Sequence, residues 1–134
     1  MRLQLAINVP ELEPAITYYS KLFGVDVAKR KPGYANFEVA QPPLKLVLFE
    51  SDGADRLNHL GVEVFDHETV LQTAEAQSAR GLDVKVKEQE GCCFASQNKA
   101  VSYAPDGTMW EWYQKLEDLE SFDSNAPQIT CCAG

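Results

Sequence analysis

Two stretches of this chain share one pattern of polar and apolar residues. Residues 3–9 (Leu-Gln-Leu-Ala-Ile-Asn-Val) and 58–64 (Asn-His-Leu-Gly-Val-Glu-Val) both alternate with a period of two, which predicts half-buried strands. When the stretches are superposed, Gln4 matches His59 and Ala6 matches Gly61. In each, a side chain that can coordinate a metal is followed, two positions on and on the same face, by a very small residue. This leaves space above that face. The pattern therefore predicts a duplicated unit in which each first strand offers one metal ligand.

The elements after these strands also repeat. A helix with a stripe of apolar residues follows each one, and Gly24 and Gly81, which close the two helices, lie 57 residues apart. The inward positions expected in the second helix, which follows Asp66, are Val70, Ala74 and Ala79. The remaining predicted strands are Val25–Lys29, Tyr34–Val39, Leu44–Phe49, Leu82–Val86, roughly Cys93–Gln97, Ala100–Tyr103 and Thr108–Gln114. This order predicts an α+β fold of two tandem βαβββ modules that form a curved mixed sheet.

The length of 134 residues predicts one domain. We expect it to cover residues 1–115, with modules at about 1–50 and 57–115 joined by a polar connector at residues 51–56. Residues 116–134 are acidic and polar, which predicts a loosely ordered tail.

Composition excludes several kinds of partner. A net charge of −8 without a basic run argues against nucleic acid and anionic membrane surfaces. No apolar run approaches the roughly 20 residues of a membrane span. The four cysteines form two adjacent pairs, Cys92-Cys93 and Cys131-Cys132, which are poor disulfide partners for each other. Reduced dithiols in a cytoplasmic protein are therefore expected.

Glu111 is the candidate carboxylate ligand of the last strand. It lies between Trp110 and Trp112, and alternation places it on the face opposite these two rings. A carboxylate on so apolar a strand either faces solvent or binds something positive, because an unpaired buried charge is costly. Glu50 is a spare candidate that could equally be a solvated strand end. His67, at the entrance of the second helix, is expected to cap the helix or to be exposed.

The pair Cys92-Cys93 is the second chemical signal. A regular strand would separate the two thiols, but Gly91 permits a turn or bulge that could direct both into one pocket. Two soft thiolates suit a thiophilic electrophile such as trivalent arsenic, although buried structural cysteines are an equally ordinary reading. The polar segment Ala95–Ala100 could close over a site or form a plain hairpin turn. Cys131 and Cys132 could capture As(III), but a dispensable chain end is favoured.

The two modules, with Gln4, His59 and Glu111 at the ligand positions of first and last strands, resemble the vicinal oxygen chelate superfamily of glyoxalases, bleomycin resistance proteins and extradiol dioxygenases. With Cys92-Cys93 added, the sequence is most similar to the organoarsenical carbon–arsenic lyases, which are grouped with cadmium-inducible proteins.

The resemblance implies Fe(II)- and O₂-dependent cleavage of the C–As bond of trivalent organoarsenicals, such as methylarsonous acid, with release of arsenite. It implies that Gln4, His59 and Glu111 hold the metal, that Cys92 and Cys93 hold arsenic, and that Phe94 packs against the substrate. Such a ligand set approximates the facial arrangement of non-haem Fe(II) enzymes, though Mn(II), Co(II), Ni(II) or Zn(II) could also bind. A monomer or a homodimer is expected. Two alternatives remain open: a non-catalytic binder of heavy metals or metalloids, and another metalloenzyme of the superfamily.

Overall fold

The computed structural model describes residues 1–92 and 95–118 of the chain. Its elements are β1 (Arg2–Val9), α1 (Leu12–Phe23), β2 (Lys29–Lys31), β3 (Tyr34–Val39), β4 (Leu44–Glu50), β5 (Leu57–Glu63), α2 (His67–Ala79), β6 (Lys85–Cys92), β7 (Ala95–Tyr103) and β8 (Met109–Asp118). The order of strand, helix and three strands therefore occurs twice, and the second module has three strands after its helix where four were predicted. Neither helix in these ranges has the length and apolar character needed to cross a bilayer.

All strands of the described part of the chain join one mixed sheet in the order β2-β3-β4-β1-β5-β8-β7-β6. Each module contributes four adjacent strands, and the modules meet where β1 pairs antiparallel with β5. The pairing of β1 with β4 is parallel, and so is that of β5 with β8. The predicted α+β fold of two tandem βαβββ modules is confirmed, and the two first strands lie side by side at the centre of the sheet.

Helix α1 packs against β3 and β4 and buries the core of the first module. Its inward residues Leu12 and Ile16 join a cluster with Val9, Ala35, Phe37, Val39, Leu46 and Leu48. Gly24 ends the helix at φ 66°, as predicted, and its backbone N–H donates to the carbonyl of Ser20. Glycine suits this position because it adopts the left-handed conformation without steric cost.

Helix α2 packs against β7 and β8 in the second module. Val70 and Ala74 are buried as predicted, but the prediction for Ala79 was wrong: Ala79 is exposed and Gln77 is buried instead. The reason is the helical period, since Gln77 shares a face with Val70 and Ala74, whereas nine residues from Val70 bring Ala79 to the opposite face.

The strand boundaries of the first module agree with the prediction to within one residue except at β2. Residues 25–28 are not in a strand, and β2 begins only at Lys29. The side chains of Val25 and Val27 instead pack against the core beneath α1. Their alternation with polar residues therefore reflects burial without strand pairing.

The second module differs more. The strand predicted from Leu82 begins at Lys85, and residues 95–103 form the single strand β7 in place of two strands around a polar loop. This strand pairs on both sides, with β6 and with β8. Sheet pairing thus overrides the turn propensity of the Ser-Gln-Asn-Lys run. Among the described residues, no loop occupies positions 95–100, and β8 continues past the predicted end to Asp118.

The polar face of the two central strands is the buried one. Gln4 and Ala6 on β1, and His59 and Gly61 on β5, are all buried, while Leu5, Ile7 and Val62 on the opposite face keep intermediate exposure and pack against the core clusters. Both faces of these strands are therefore covered, unlike an antiparallel strand with one solvated face. This arrangement places coordinating side chains inside the protein, against a cavity.

Candidate metal centre

Three of the predicted site residues converge in the described structure. Gln4 Nε2 lies 3.0 Å from His59 Nε2 and 3.0 Å from Glu111 Oε1. His59 Nε2 lies 3.3 Å from Glu111 Oε1. All three side chains are at most 4% exposed. The three predicted ligand positions, which are separated by as many as 107 residues in the chain, therefore form one compact cluster.

Strand register explains this convergence. Gly61 on β5 is paired with Gln4 on β1 and with Glu111 on β8, so these three positions form one row across the sheet. His59 lies two residues before Gly61 and points to the same face. A Cβ at Gly61 would come 2.8 Å from the carbonyl oxygen of Glu111 and 3.0 Å from its Cγ. Glycine is therefore required here for Gln4 and Glu111 to approach each other.

A β-bulge places a second polar side chain against His59. The β1–β5 register shifts at Asn58: Ala6 is paired with His59, but Ile7 is paired with Leu57. A bulged residue can turn its side chain away from the face that alternation assigns to it. Asn58 Oδ1 consequently lies 2.8 Å from His59 Nδ1.

The hydrogen bonds beyond Asn58 determine the tautomer of His59. Asn8 Nδ2 donates to the carbonyl of Asp55 (3.1 Å), and Asn58 Nδ2 donates to Asn8 Oδ1 (3.0 Å). A backbone carbonyl can only accept, so the Asn8 side chain must direct its NH₂ group to Asp55 and its oxygen to Asn58. Asn58 must then direct its NH₂ group to Asn8 and its oxygen to His59. Asn58 Oδ1 must therefore accept from His59 Nδ1–H. In neutral His59 this leaves the lone pair of Nε2 facing Gln4 and Glu111.

The donor set fits a divalent cation. The Nε2 lone pair, the Glu111 carboxylate and the Gln4 carboxamide (through its oxygen, after a half-turn of the amide) supply three donors. Their separations of 3.0–3.3 Å compare with about 3 Å between adjacent ligands of an octahedral ion whose bonds are about 2.1 Å long. One face of an ion would be bound, and the opposite face would be left open.

Charge around Glu111 favours its ionised form. Burial by itself would raise the pKa of this carboxyl. When His59 is protonated on both ring nitrogens, attraction to His59 and Lys99 and hydrogen bonds from His59 and Gln4 lower the pKa to about 2. Lys99 is completely buried, and its Nζ lies 3.8 Å from Glu111 Oε2 and 3.6 Å from Glu90 Oε2. Glu111 is therefore available as an anionic ligand at any ordinary pH.

A cavity opens on this cluster. It encloses about 420 Å³ of space not filled by atoms, part of it open to solvent. The first module contributes residues of β2, β3 and β4 to its wall, and the second contributes Ala95 and Gln97 of β7. Ala95 pairs with Cys92 across β6 and β7, so the backbone of Cys92 lies beside this part of the cavity wall.

The other predicted residues have different outcomes. Cys93, Phe94, Cys131 and Cys132 lie outside the described residues, and only the backbone of Cys92, at the end of β6, is described. Glu50, the spare ligand candidate, is not in the cluster: its Oε2 accepts from the backbone N–H of Leu12 at 2.9 Å and caps α1. His67, the first residue of α2, lies 3.4 Å from Glu88.

Two contributors to the site were missed by the sequence analysis. Lys99 was assigned to a loop, but alternation along β7 places it on the inner face, where its register partner is Tyr113. Treating residues 95–103 as one strand would have revealed it. Asn58 gave no such signal, because a bulge depends on the pairing of two distant strands.

Two βαβββ modules joined through antiparallel first strands, with a donor-lined cavity on one face, define the paired βαβββ class of protein. The chain belongs to the glyoxalase/bleomycin resistance protein/dioxygenase superfamily, whose family model matches residues 3–112.

Curated relatives agree with the resemblance seen in the sequence. The cadmium-induced protein CadI of Mycobacterium tuberculosis is 51% identical over 124 residues, which cover 92% of this chain and 82% of that protein. The trivalent organoarsenical cleaving enzyme of Thermomonospora curvata is 46% identical over 133 residues, which cover 98% of this chain and 87% of that enzyme. The crystal structure of the 2,3-dioxygenase LapB from Pseudomonas sp. KL28 matches with a TM-score of 0.64 at 19% identity, covering 94% of this chain and 46% of LapB, and supports the fold.

Proposed function

We propose that this protein is a non-haem, Fe(II)- and O₂-dependent dioxygenase-type lyase that cleaves the C–As bond of trivalent organoarsenicals and releases arsenite. The observation that carries the proposal is the convergence of Gln4, His59 and Glu111 at a cavity whose wall includes Ala95, the register partner of Cys92. Similarity to organoarsenical cleaving enzymes supports it. Arsenic detoxification in the reducing cytoplasm is the expected setting.

In this proposal the metal is held by the Gln4 oxygen, His59 Nε2 and Glu111. Fe(II), when bound, would supply the redox chemistry with O₂; Mn(II), Co(II), Ni(II) or Zn(II) would fit the same donors. Asn58 would keep the Nε2 lone pair of His59 directed at the metal. Lys99 would balance the negative charge on Glu111 Oε2. Burial of the cluster would exclude water from the reacting atoms.

The thiols would anchor the substrate. Methylarsonous acid carries two hydroxyl groups on arsenic, and Cys92 and Cys93 would replace them by forming two As–S bonds with release of two water molecules. The methyl carbon would then be held inside the cavity, with Phe94 packed against the substrate. Fixing both reactants in one cavity contributes to the rate by positioning.

A second function is favoured by the similarity to CadI, which is named a cadmium-induced protein. A non-catalytic resistance protein would bind soft metal ions through the thiols alone, so His59 and Glu111 would be dispensable. A third reading, another metal-dependent enzyme of the superfamily, would need His59 and Glu111 but not the thiols.

One assay separates these functions. The Fe(II)-loaded protein is incubated with methylarsonous acid, with and without O₂, and inorganic arsenite is quantified. The lyase should release arsenite only with O₂. His59→Ala and Glu111→Gln should abolish turnover but retain arsenical binding, while Cys92→Ser/Cys93→Ser should abolish turnover and retain Fe(II). Glu75→Gln, an exposed change on α2, is the control. Normal turnover in the double cysteine variant would reject the thiol role, and no arsenite under any condition would reject the lyase.

A further inference from the structure

We propose that the wall of the cavity formed by β3 and β4 is a subsite for an anionic substituent on the organic group of the arsenical. The preferred substrates would then be trivalent arylarsenicals with a carboxylate on the ring. This inference rests on the proposed function, because it names the substrate class of the same cavity.

The subsite begins on β4, the strand next to the one that carries Gln4. Lys45 on β4 is the register partner of Gln4, so it continues the row that contains Glu111 and Gly61. A second, neighbouring row runs from His59 on β5 through its partner Ala6. Ala6 is paired with Val47 on β4, which is paired with Asn36 on β3. Successive strands are about 4.8 Å apart, so these rows extend over the length of a substituted benzene ring.

Positive charge is concentrated in this cavity although the chain carries a net charge of −8. Of the described residues that line it, Lys29, Lys45 and Lys115 are cationic and Glu111 is the one carboxylate. A bound divalent ion would increase the positive charge further. A cavity with low-dielectric walls focuses such a field, which attracts an anionic ligand.

Lys45 is the central residue of the subsite. It is 7% exposed, and its Nζ donates to Glu63 Oε2 over a distance of 3.4 Å, longer than the 2.7–2.9 Å of a typical charge-assisted bond. The other oxygen of Glu63 is bound to Arg2 at 2.6 Å. Burial lowers the pKa of Lys45, and nearby Glu63 opposes this only in part. A ligand carboxylate would therefore provide the acceptors that a buried ammonium requires.

The same wall of the cavity carries an apolar surface that reaches His59. Val47, Phe49 and Tyr34 pack together with Ala6, and the Phe49 ring lies 6.3 Å from the His59 ring, centroid to centroid. Asn36 Nδ2 donates to the hydroxyl of Tyr34 at 2.9 Å, so polar groups adjoin this surface. Such a surface suits an aromatic ring with arsenic at one end and an acid at the other.

The test compares phenylarsonous acid with its 4-carboxy derivative. We expect kcat/KM for arsenite release to be at least about tenfold higher for the carboxylate, as a hydrogen bond between charged groups contributes. Lys45→Met should reduce this ratio to about one, and Lys45→Arg should retain much of it. Lys85→Met, an exposed lysine at the start of β6, is the control. In the wild type Arg2 also binds Glu63, so Lys45→Met leaves that carboxylate with a partner.

A second measurement does not require activity. Benzoate binding to the metal-free protein is followed by NMR, and we expect it in the wild type and in Lys85→Met but not in Lys45→Met. Equal kcat/KM for the two arylarsenicals in the wild type, together with no benzoate binding, would overturn the inference. If benzoate binds through Lys45 but no arsenical is cleaved, the lyase proposal fails and the anion subsite stands. If Lys45→Met does not fold, loss of the wild-type preference at high salt gives the same information.

Discussion

Asn58 Oδ1 lies 2.8 Å from Nδ1 of His59, the next residue in the chain. Neighbouring side chains of a regular strand point to opposite faces, so this contact exists only because Asn58 is the bulged residue of β5. The contact leaves the Nε2 lone pair available to a metal. Asn8 Oδ1 accepts from Asn58 Nδ2 and so fixes the orientation of the Asn58 carboxamide.

Asn58→Ala should therefore weaken metal binding without removing a ligand. The change releases His59 Nδ1 and allows the other tautomer, and we expect a loss of about 10- to 100-fold in affinity for Co(II) or Fe(II). Metal titration measures the affinity, and ¹⁵N NMR of the metal-free protein reports the tautomer. Asn8→Ala, one hydrogen bond further away, should have a smaller effect. Unchanged affinity and tautomer in Asn58→Ala would contradict the positioning role.

Gly61→Ala adds only one methyl group but should disrupt the metal centre. The added methyl would come 2.8 Å from the backbone of Glu111, so either β8 or the Glu111 side chain must move. We expect the free energy of unfolding to fall by about 1–3 kcal/mol and metal affinity to fall with it, as measured by urea unfolding and metal titration. Gly53→Ala is the matched control, because a Cβ there meets only the Ser51 hydroxyl, at 3.3 Å. Equal effects of the two changes would show that the space at Gly61 has no special role.

Glu50→Ala tests whether this carboxylate is a cap. It should lower the free energy of unfolding by about 1 kcal/mol, because the N–H of Leu12 loses its acceptor. Metal affinity should remain that of the wild type, since Glu50 lies outside the cluster. A large loss of metal binding would instead restore Glu50 as a ligand.

Glu111→Gln should change how stability depends on pH. The pKa of Glu111 is about 2 in the folded protein against an ordinary 4.5. A lowered pKa stabilises the fold above the ordinary value, and the stabilisation is lost as the pH falls from about 4.5 toward 2. At about 1.4 kcal/mol per pH unit the full shift corresponds to on the order of 3 kcal/mol, of which the wild type should lose about 2 kcal/mol more than Glu111→Gln between pH 5 and pH 3. Urea unfolding of the metal-free proteins at pH 5, 4 and 3 measures the difference. Parallel pH profiles would mean that Glu111 is not stabilised as an anion.

Local patterns predicted a large part of this fold. Two βαβββ modules were predicted from the matching strands of Gln4 and His59 and from the glycines that close both helices. These signals are local, because strand periodicity and helix capping depend only on residues close together in the chain. The same patterns failed at β2, at Ala79 and along β7. For β7, pairing on both sides made a polar run into an interior strand, and no local propensity reports such pairing.

The sequence by itself determined which side chains can coordinate a metal and which face of each strand carries them, because side-chain chemistry and a two-residue period require no partner strand. Only the tertiary structure decided that Gln4, His59 and Glu111 meet, since their contact depends on the register of three strands from distant parts of the chain. It also decided that Asn58 turns toward His59, that Lys99 and Lys45 are buried beside the cavity, and that Glu50 caps a helix. Each of these outcomes depends on how distant segments of the chain pair and pack, which no local pattern reports.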